Sequence, residues 1–273
     1  MMFVRRRWVA TVGCILLLLV YAIPLGWIVL ESLASDREAG TGSIPTELSL
    51  DAYASVVDQI GGPVVQSLVI AVSTAVIVVV LSALAGYGLS HVSGRLGNLL
   101  VAATLVALVV LQMIPQATTA IPLYGLLGQL GLTNTTVGVV IADAAFLLPL
   151  GIVLARPFFA DVPIELEQAA MIDGASQIQV VRYIVIPLAR NGLITVALLT
   201  FMISWGEFVY AVTFLNGAEL FPVSVVLAQQ VGSLNADWNN LMALAVLTSL
   251  PLVLIFLLGQ RRLQAGMTAG AIR

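Results

Sequence analysis

ELEQAAMIDGASQIQVVRYIVIP, residues 165–187, is a polar island in an otherwise strongly apolar chain. Its spacing predicts two short helices around a glycine. Asp161 is placed to cap the first helix, Pro163 fits its opening turn, and Glu165 suits the positive end of the helix dipole. Gly174 supplies a turn where a side chain is costly. Ser176 and Gln179 have the capping-box spacing for a second helix, which Pro187 is expected to stop. A soluble helix–turn–helix between two membrane spans has to touch something on its side of the bilayer. The stretch is therefore read as the place where the chain meets a partner.

Composition sets the class around it. The chain has 273 residues, 60% of them hydrophobic and only 9% charged, with a mean hydropathy of +1.08. Soluble domains carry about 25% charged residues, so this chain belongs in a bilayer. A net charge of −3 with no basic stripe excludes a nucleic-acid binder. The lone cysteine, Cys14, has no intrachain disulfide partner and reads as a packing residue in the first apolar run. The lone histidine, His91, has no second His or Cys beside it, so no metal site is expected.

Six apolar runs are long enough for a hydrocarbon core of roughly 30 Å, which takes about 20 residues per helix. They are Trp8–Leu30, Val64–Leu89, Asn98–Leu127, Val137–Phe159, Leu193–Phe214 and Leu241–Gly259. The first follows Arg5, Arg6 and Arg7, but its apolar stretch is too long for a signal-peptide core, and it reads as a retained span. The expected fold is an all-α integral membrane protein of six transmembrane helices with a helix–turn–helix loop. Residues 1–273 would form a single transmembrane domain, with that loop at about 160–190 and a tail at about 260–273.

Orientation follows from the arginines, since the chain has no lysine. With six alternating spans, Arg5, Arg6, Arg7, Arg95, Arg156, Arg182, Arg190, Arg261, Arg262 and Arg273 fall on one side, and only Arg37 on the other. The positive-inside rule then makes both termini and the 165–187 loop cytoplasmic. The acidic residues Asp36, Glu38, Glu47, Asp51 and Asp58 gather in the first external loop. Trp8, Trp27, Tyr53 and Trp238 sit near predicted interfaces, where such rings anchor helices.

Two acids fall inside spans, Asp143 and Glu207. Charge at that depth is costly and faces a cavity, a partner or a polar network. Pro115, Pro122 and Pro149 interrupt apolar runs and are expected to kink their helices and free carbonyls. Gln116, Thr118 and Thr119 stand beside the first of these breaks, as polyol contacts or as interhelical hydrogen bonds. The candidate substrate-pathway residues are Asp143, Gln116, Thr118 and Glu207. Gly125, Gly128 and Gly131 read as close packing or a helix end before Asn134.

The 165–187 layout resembles the coupling loop of ATP-binding-cassette (ABC) importer permeases, with its pattern of EAA, three residues, Gly, nine residues and I-x-L-P. Ala169, Ala170, Gly174, Ile184 and Pro187 match. Gln168 stands at the motif glutamate, with Glu167 just before it, and Ile186 replaces the usual leucine. Further segments are similar to the smaller, six-span subunit of maltose-type carbohydrate permeases. These are Ile44-Pro45 with Leu50-Asp51-Ala52-Tyr53, Gly86-Tyr87-Gly88-Leu89, Trp205-Gly206-Glu207-Phe208, and the tail Gly266-Met267-Thr268-Ala269-Gly270-Ala271.

The resemblance implies a permease subunit in a bacterial plasma (inner) membrane, forming half of a sugar path. It implies a second homologous permease, two ATPase subunits carrying ATP and magnesium, and an external solute-binding protein. The chain has no G-x-x-x-x-G-K-[ST] loop of its own, so it is expected to be no enzyme and to bind no cofactor. Glu167, Gln168, Ala169, Ala170, Asp173, Gly174, Ile184 and Pro187 would form the ATPase-coupling loop, with Glu167, Asp173 and Arg182 at its rim. Alternatives are an importer of another solute such as a glycerol phosphate or, further away, an ion-coupled transporter. No internal symmetry favours the ion-coupled reading, and no nucleophile–base or metal set favours an intramembrane enzyme.

Overall fold

The computed structural model describes residues 2–35, 40, 43–232 and 237–269, with the backbone alone for residues 2–10 and 261–269. Asp36, Arg37, Glu38 and the tail from Gly270 lie outside the described residues, as do the side chains of Arg5, Arg6, Arg7, Trp8, Arg261 and Arg262. Regular structure among the described residues is helical, apart from one isolated antiparallel bridge between Ala34 and Leu48. This is what a bilayer requires of backbone polar groups, which helices satisfy internally. Five helices are long and apolar enough to cross a membrane, and a bent pair supplies a sixth if it counts as one span.

The chain divides into two compact units. One holds α1 (Met2–Glu31), the start of α2 (Asp51–Ser90) and the first part of α11 (Trp238–Ala269). Its connecting segment is pinned by backbone bonds from Ser49 N to Leu33 O at 2.8 Å and Ser35 N to Glu47 O at 3.2 Å. Asn239 Nδ2 donates to Ala34 O at 2.7 Å, and the Ser32 and Tyr53 hydroxyls meet at 2.6 Å. Asp237 opens α11 by accepting from the Asn239 amide at 3.1 Å. In α1, none of residues 11–30 is buried within the chain, whereas Glu31 at the end of the helix is.

The second unit holds the rest of α2, α3 (Arg95–Leu111), α4 (Gln116–Gln129), α5 (Thr136–Ala160), α6 (Ile164–Ile172), α7 (Gln177–Val180), α8 (Ile186–Trp205) and α9 (Val209–Phe214). It also takes in the start of α10 (Val223–Val231) and the end of α11. Two cores fill it. Ile70, Val139, Tyr210, Phe214 and Val225 form one, and Val78, Leu147, Ala155, Phe159, Val185 and Val196 the other. Small residues let the helices close up, as membrane bundles require. A Cβ on Gly192 of α8 would fall 2.0 Å from the Phe158 ring of α5, and one on Gly151 of α5 would fall 2.3 Å from Ser82 Oγ of α2.

Three expectations are corrected, while the break expected at Pro115 is found: in the Asn98–Leu127 run, α3 and α4 meet at 92° across Gln112–Pro115. Pro115 disfavours a helical residue before it and takes the extended N-cap position of α4, while Pro122 and Pro149 stay inside α4 and α5. The fifth span is displaced. It runs from Gln177 to Trp205, and the chain breaks at Gly206–Phe208 before α9. Pro187 does not stop a helix, because a π-turn at Val181–Val185 precedes it and α8 continues without interruption. That wider turn shifts the carbonyl the proline ring would strike, which absorbs the missing amide. Pro163 rather than Asp161 takes the N-cap of α6, and Asp161 instead closes α5.

Candidate functional site

The 165–187 segment folds as a helix, a tight turn and the start of the long α7–α8 rod. Gly174 adopts φ 91°, a left-handed conformation that L side chains rarely take. Its amide bonds Met171 O at 3.1 Å and the Ala175 amide bonds Ala170 O at 3.0 Å, the pair of contacts that closes a Schellman turn. Ser176 and Gln179 complete the capping box in both directions. Gln168, Ala169, Asp173 and Pro187 are exposed, while Ala170 and Ile184 are half-buried. Asp173, Gly174, Gln179, Tyr183 and Ile184 border a shallow cleft.

Glu167 stands elsewhere than the rim. It is buried at 3% exposure, with Oε2 accepting from the Tyr87 hydroxyl at 2.9 Å and Oε1 3.0 Å from His91 Nε2. His91 Nδ1 in turn lies 3.0 Å from Tyr87 O. Glu167 thus ties the loop to the end of α2, and sequence reasoning missed the tie. Its signal was present: Tyr87 and His91 are four residues apart, the spacing that puts two side chains on one helix face. Also missed was the loop's apolar surface, where Ile172 (86% exposed), Ile178 (80%) and Tyr183 (68%) flank the turn. Exposed apolar side chains around a small-residue turn suit a docking partner better than water does.

Glu167→Ala is expected to loosen α6. The substitution removes the carboxylate partner of the half-buried Tyr87 hydroxyl and the partly exposed His91 ring, and hydrogen bonds to a charged group are worth about 2 kcal/mol. Amide hydrogen exchange across Ile164–Ile172 should rise at least tenfold in the variant and less in Glu167→Gln. Unchanged exchange would mean that the tie carries no load.

The structure joins three of the four pathway candidates. Gln116 Nε2 donates to Glu207 Oε2 at 2.5 Å, and Glu207 Oε1 accepts from the Tyr210 amide at 2.6 Å. Glu207 therefore caps α9 and braces the α8–α9 break to the α3–α4 elbow. Asp143, 1% exposed, accepts from Ser204 Oγ just before the same break. The Ser224 hydroxyl donates to Glu207 O. Thr118 is exposed on α4 and takes no part; Thr119 does, meeting the Tyr210 hydroxyl at 2.7 Å. Helical spacing accounts for the exchange, since Thr119 lies three residues from Gln116 and shares its face, whereas Thr118 lies two away. Both acids are sealed inside the chain's own packing, so here they hold helices together.

A tethered, exposed helix–turn–helix below a bundle with broken helices is the build of an importer's membrane subunit. The chain belongs to the family of binding-protein-dependent transport system inner membrane components, whose profile matches residues 86–269. It is 31% identical over 256 residues to the trehalose transport system permease protein of Mycobacterium tuberculosis, covering 92% of each chain. To the trehalose/maltose transport system permease protein of Thermococcus litoralis it is 30% identical over 277 residues, covering 99% of this chain and 98% of that one. Its fold is similar to a chain of a bacterial ABC transporter that imports the acidic polysaccharide alginate, with TM-score 0.69 and 12% identity over 96% and 97% of the two chains. The protein is a multi-pass inner-membrane permease subunit of an ABC importer, a transport component and not itself an enzyme.

Proposed function

We propose that residues 1–273 act as one transmembrane domain, the smaller six-span permease of a sugar or oligosaccharide importer. It would pair with a second, homologous permease, two ATPase subunits that carry ATP and magnesium, and an external binding protein that delivers the sugar. The observation that carries this is the exposed 165–187 turn, with Ile172, Ile178 and Tyr183 bare around Gly174. Sugar as the substrate is supported by the names of the relatives, trehalose and trehalose/maltose permeases. The arginine distribution supports a cytoplasmic loop and cytoplasmic termini.

Gln168, Ala169, Ala170, Asp173, Gly174, Ile184 and Pro187 would make up the ATPase-facing loop, with Glu167 behind it. When the ATPase subunits close, they would push this loop. Because α7, the π-turn and α8 form one rod, the push reaches the bundle as a rigid-body shift. At the far end of α8 the rod meets the break that Glu207 and Gln116 brace, where a shift can open or shut a path. Asp143, Gln116 and Glu207 would shape that path rather than hold solute in this conformation.

Purification of the tagged chain from its native membrane, followed by ATPase assays in lipid with candidate sugars, tests the reading. Recovery of a second permease and an ATPase subunit, with hydrolysis stimulated by sugar and binding protein, is expected. Solute transport by the isolated chain on an ion gradient would overturn it.

A further inference from the structure

A groove runs along the second unit between α2, α8 and α11, with a volume of about 450 Å³. Val72 and Val80 of α2, Ile194, Leu198 and Phe201 of α8, and Ile255 of α11 line it, and every side chain in its wall is apolar. It continues past Leu198 and Ile255 to Leu258 and Gly259. There Leu198 rests in the space a side chain on Gly259 would need, since a Cβ would fall 2.4 Å from it.

One end of this groove is charged. Arg190, Ile194, Leu198 and Phe201 follow one another at spacings of four, four and three, so they share a face of α8. Arg190 is exposed, and among the described residues it forms no ion pair. Since α8 leaves the 165–187 loop, Arg190 lies at the loop end of the groove, about 6 Å before Ile194 at 1.5 Å per residue. The sequence of α11 runs toward that same end and carries Arg261 and Arg262 directly after Gln260.

We propose that this groove binds one anionic phospholipid, an acyl chain lying against α2, α8 and α11 and the phosphate held by Arg190. The wall offers nothing for a polar ligand, and its length along the helices suits a hydrocarbon chain. Arg190 follows on the groove's α8 face one turn toward the loop, where a headgroup would sit. Guanidinium pairs with phosphate oxygens through two parallel hydrogen bonds, and basic pockets between membrane helices select anionic headgroups in this way. A zwitterionic lipid fills the groove equally well but gains less at Arg190. The competing occupant is a helix of a second permease.

The test uses the assembled importer in nanodiscs, with Val76→Trp as a reporter in the groove wall. Brominated phosphatidylglycerol or brominated phosphatidylcholine is titrated into a zwitterionic bilayer, and quenching is read against the parent protein. Half-maximal quenching is expected at about fivefold lower mole fraction for the anionic lipid. Arg190→Gln should remove the difference, and Arg190→Lys should keep most of it. Equal quenching by the two lipids in the parent-charge protein would overturn the proposal in favour of ordinary surrounding lipid. No quenching by either would overturn it in favour of a protein helix covering the groove.

Discussion

Gly174→Asp is expected to abolish sugar-stimulated ATP hydrolysis by the assembled importer while leaving the chain inserted and folded. The residue sits at φ 91°, and a Cβ added there meets nothing within 4 Å. The damage is therefore local. A side chain forced into the left-handed region costs about 1–2 kcal/mol, and no core contact is disturbed. The turn relieves the strain by rotating, which breaks the closing bonds to Met171 O and Ala170 O and swings the exposed Ile172 and Ile178 apart. The new carboxylate also stands beside Asp173 in the cleft. A melting temperature within about 5 °C of the parent, together with lost stimulation, is the expected pair of results. Loss of the folded permease would place the role of Gly174 in folding instead.

Glu207→Ala should act on the fold itself. The carboxylate caps α9 through the Tyr210 amide and accepts from Gln116 across the bundle. Removing the cap costs about 1 kcal/mol, and leaving the Gln116 amide unsatisfied costs about 2 kcal/mol more. Together these approach 3 kcal/mol, enough to lower the thermal midpoint clearly and to free the α8–α9 break. Glu207→Gln keeps the shape and an acceptor, so it should recover most of the loss. Double substitution of Gln116 and Glu207 by alanine should cost less than the two single effects summed, because the pair shares one bond. Full additivity would show that the brace carries no energy.

The membrane class and the loop's turn were legible because their signals are local. Gly174 needed only its own backbone freedom, and Ser176 with Gln179 needed only each other. The breaks were harder. An apolar run such as Asn98–Leu127 reads as a single span, and only packing decides whether Pro115 bends it gently or turns it through 92°. The end of α8 was hidden for a related reason. Trp205-Gly206-Glu207-Phe208 lies in a run apolar enough to continue a helix, and the contact that braces the break comes from Gln116, 91 residues away, which meets the Glu207 carboxylate. Glu167 was read as a rim contact because its burial depends on Tyr87 near the end of α2 and His91 just past it. Position along the chain identified which residues carry charge, but their direction is a tertiary property.

The π-turn before Pro187 has a consequence for angle. Such a turn holds about one residue more than the α-helical turn it replaces, and each residue advances a helix by about 100°. Everything before Val181 is therefore set about 100° out of phase with the span that follows. The face carrying Ile178 on one side of the turn and the face carrying Ile194 and Leu198 on the other answer to different alignments. The chain can point one end of a single rod at a soluble partner and the other at the bilayer interior, with the offset written into five residues.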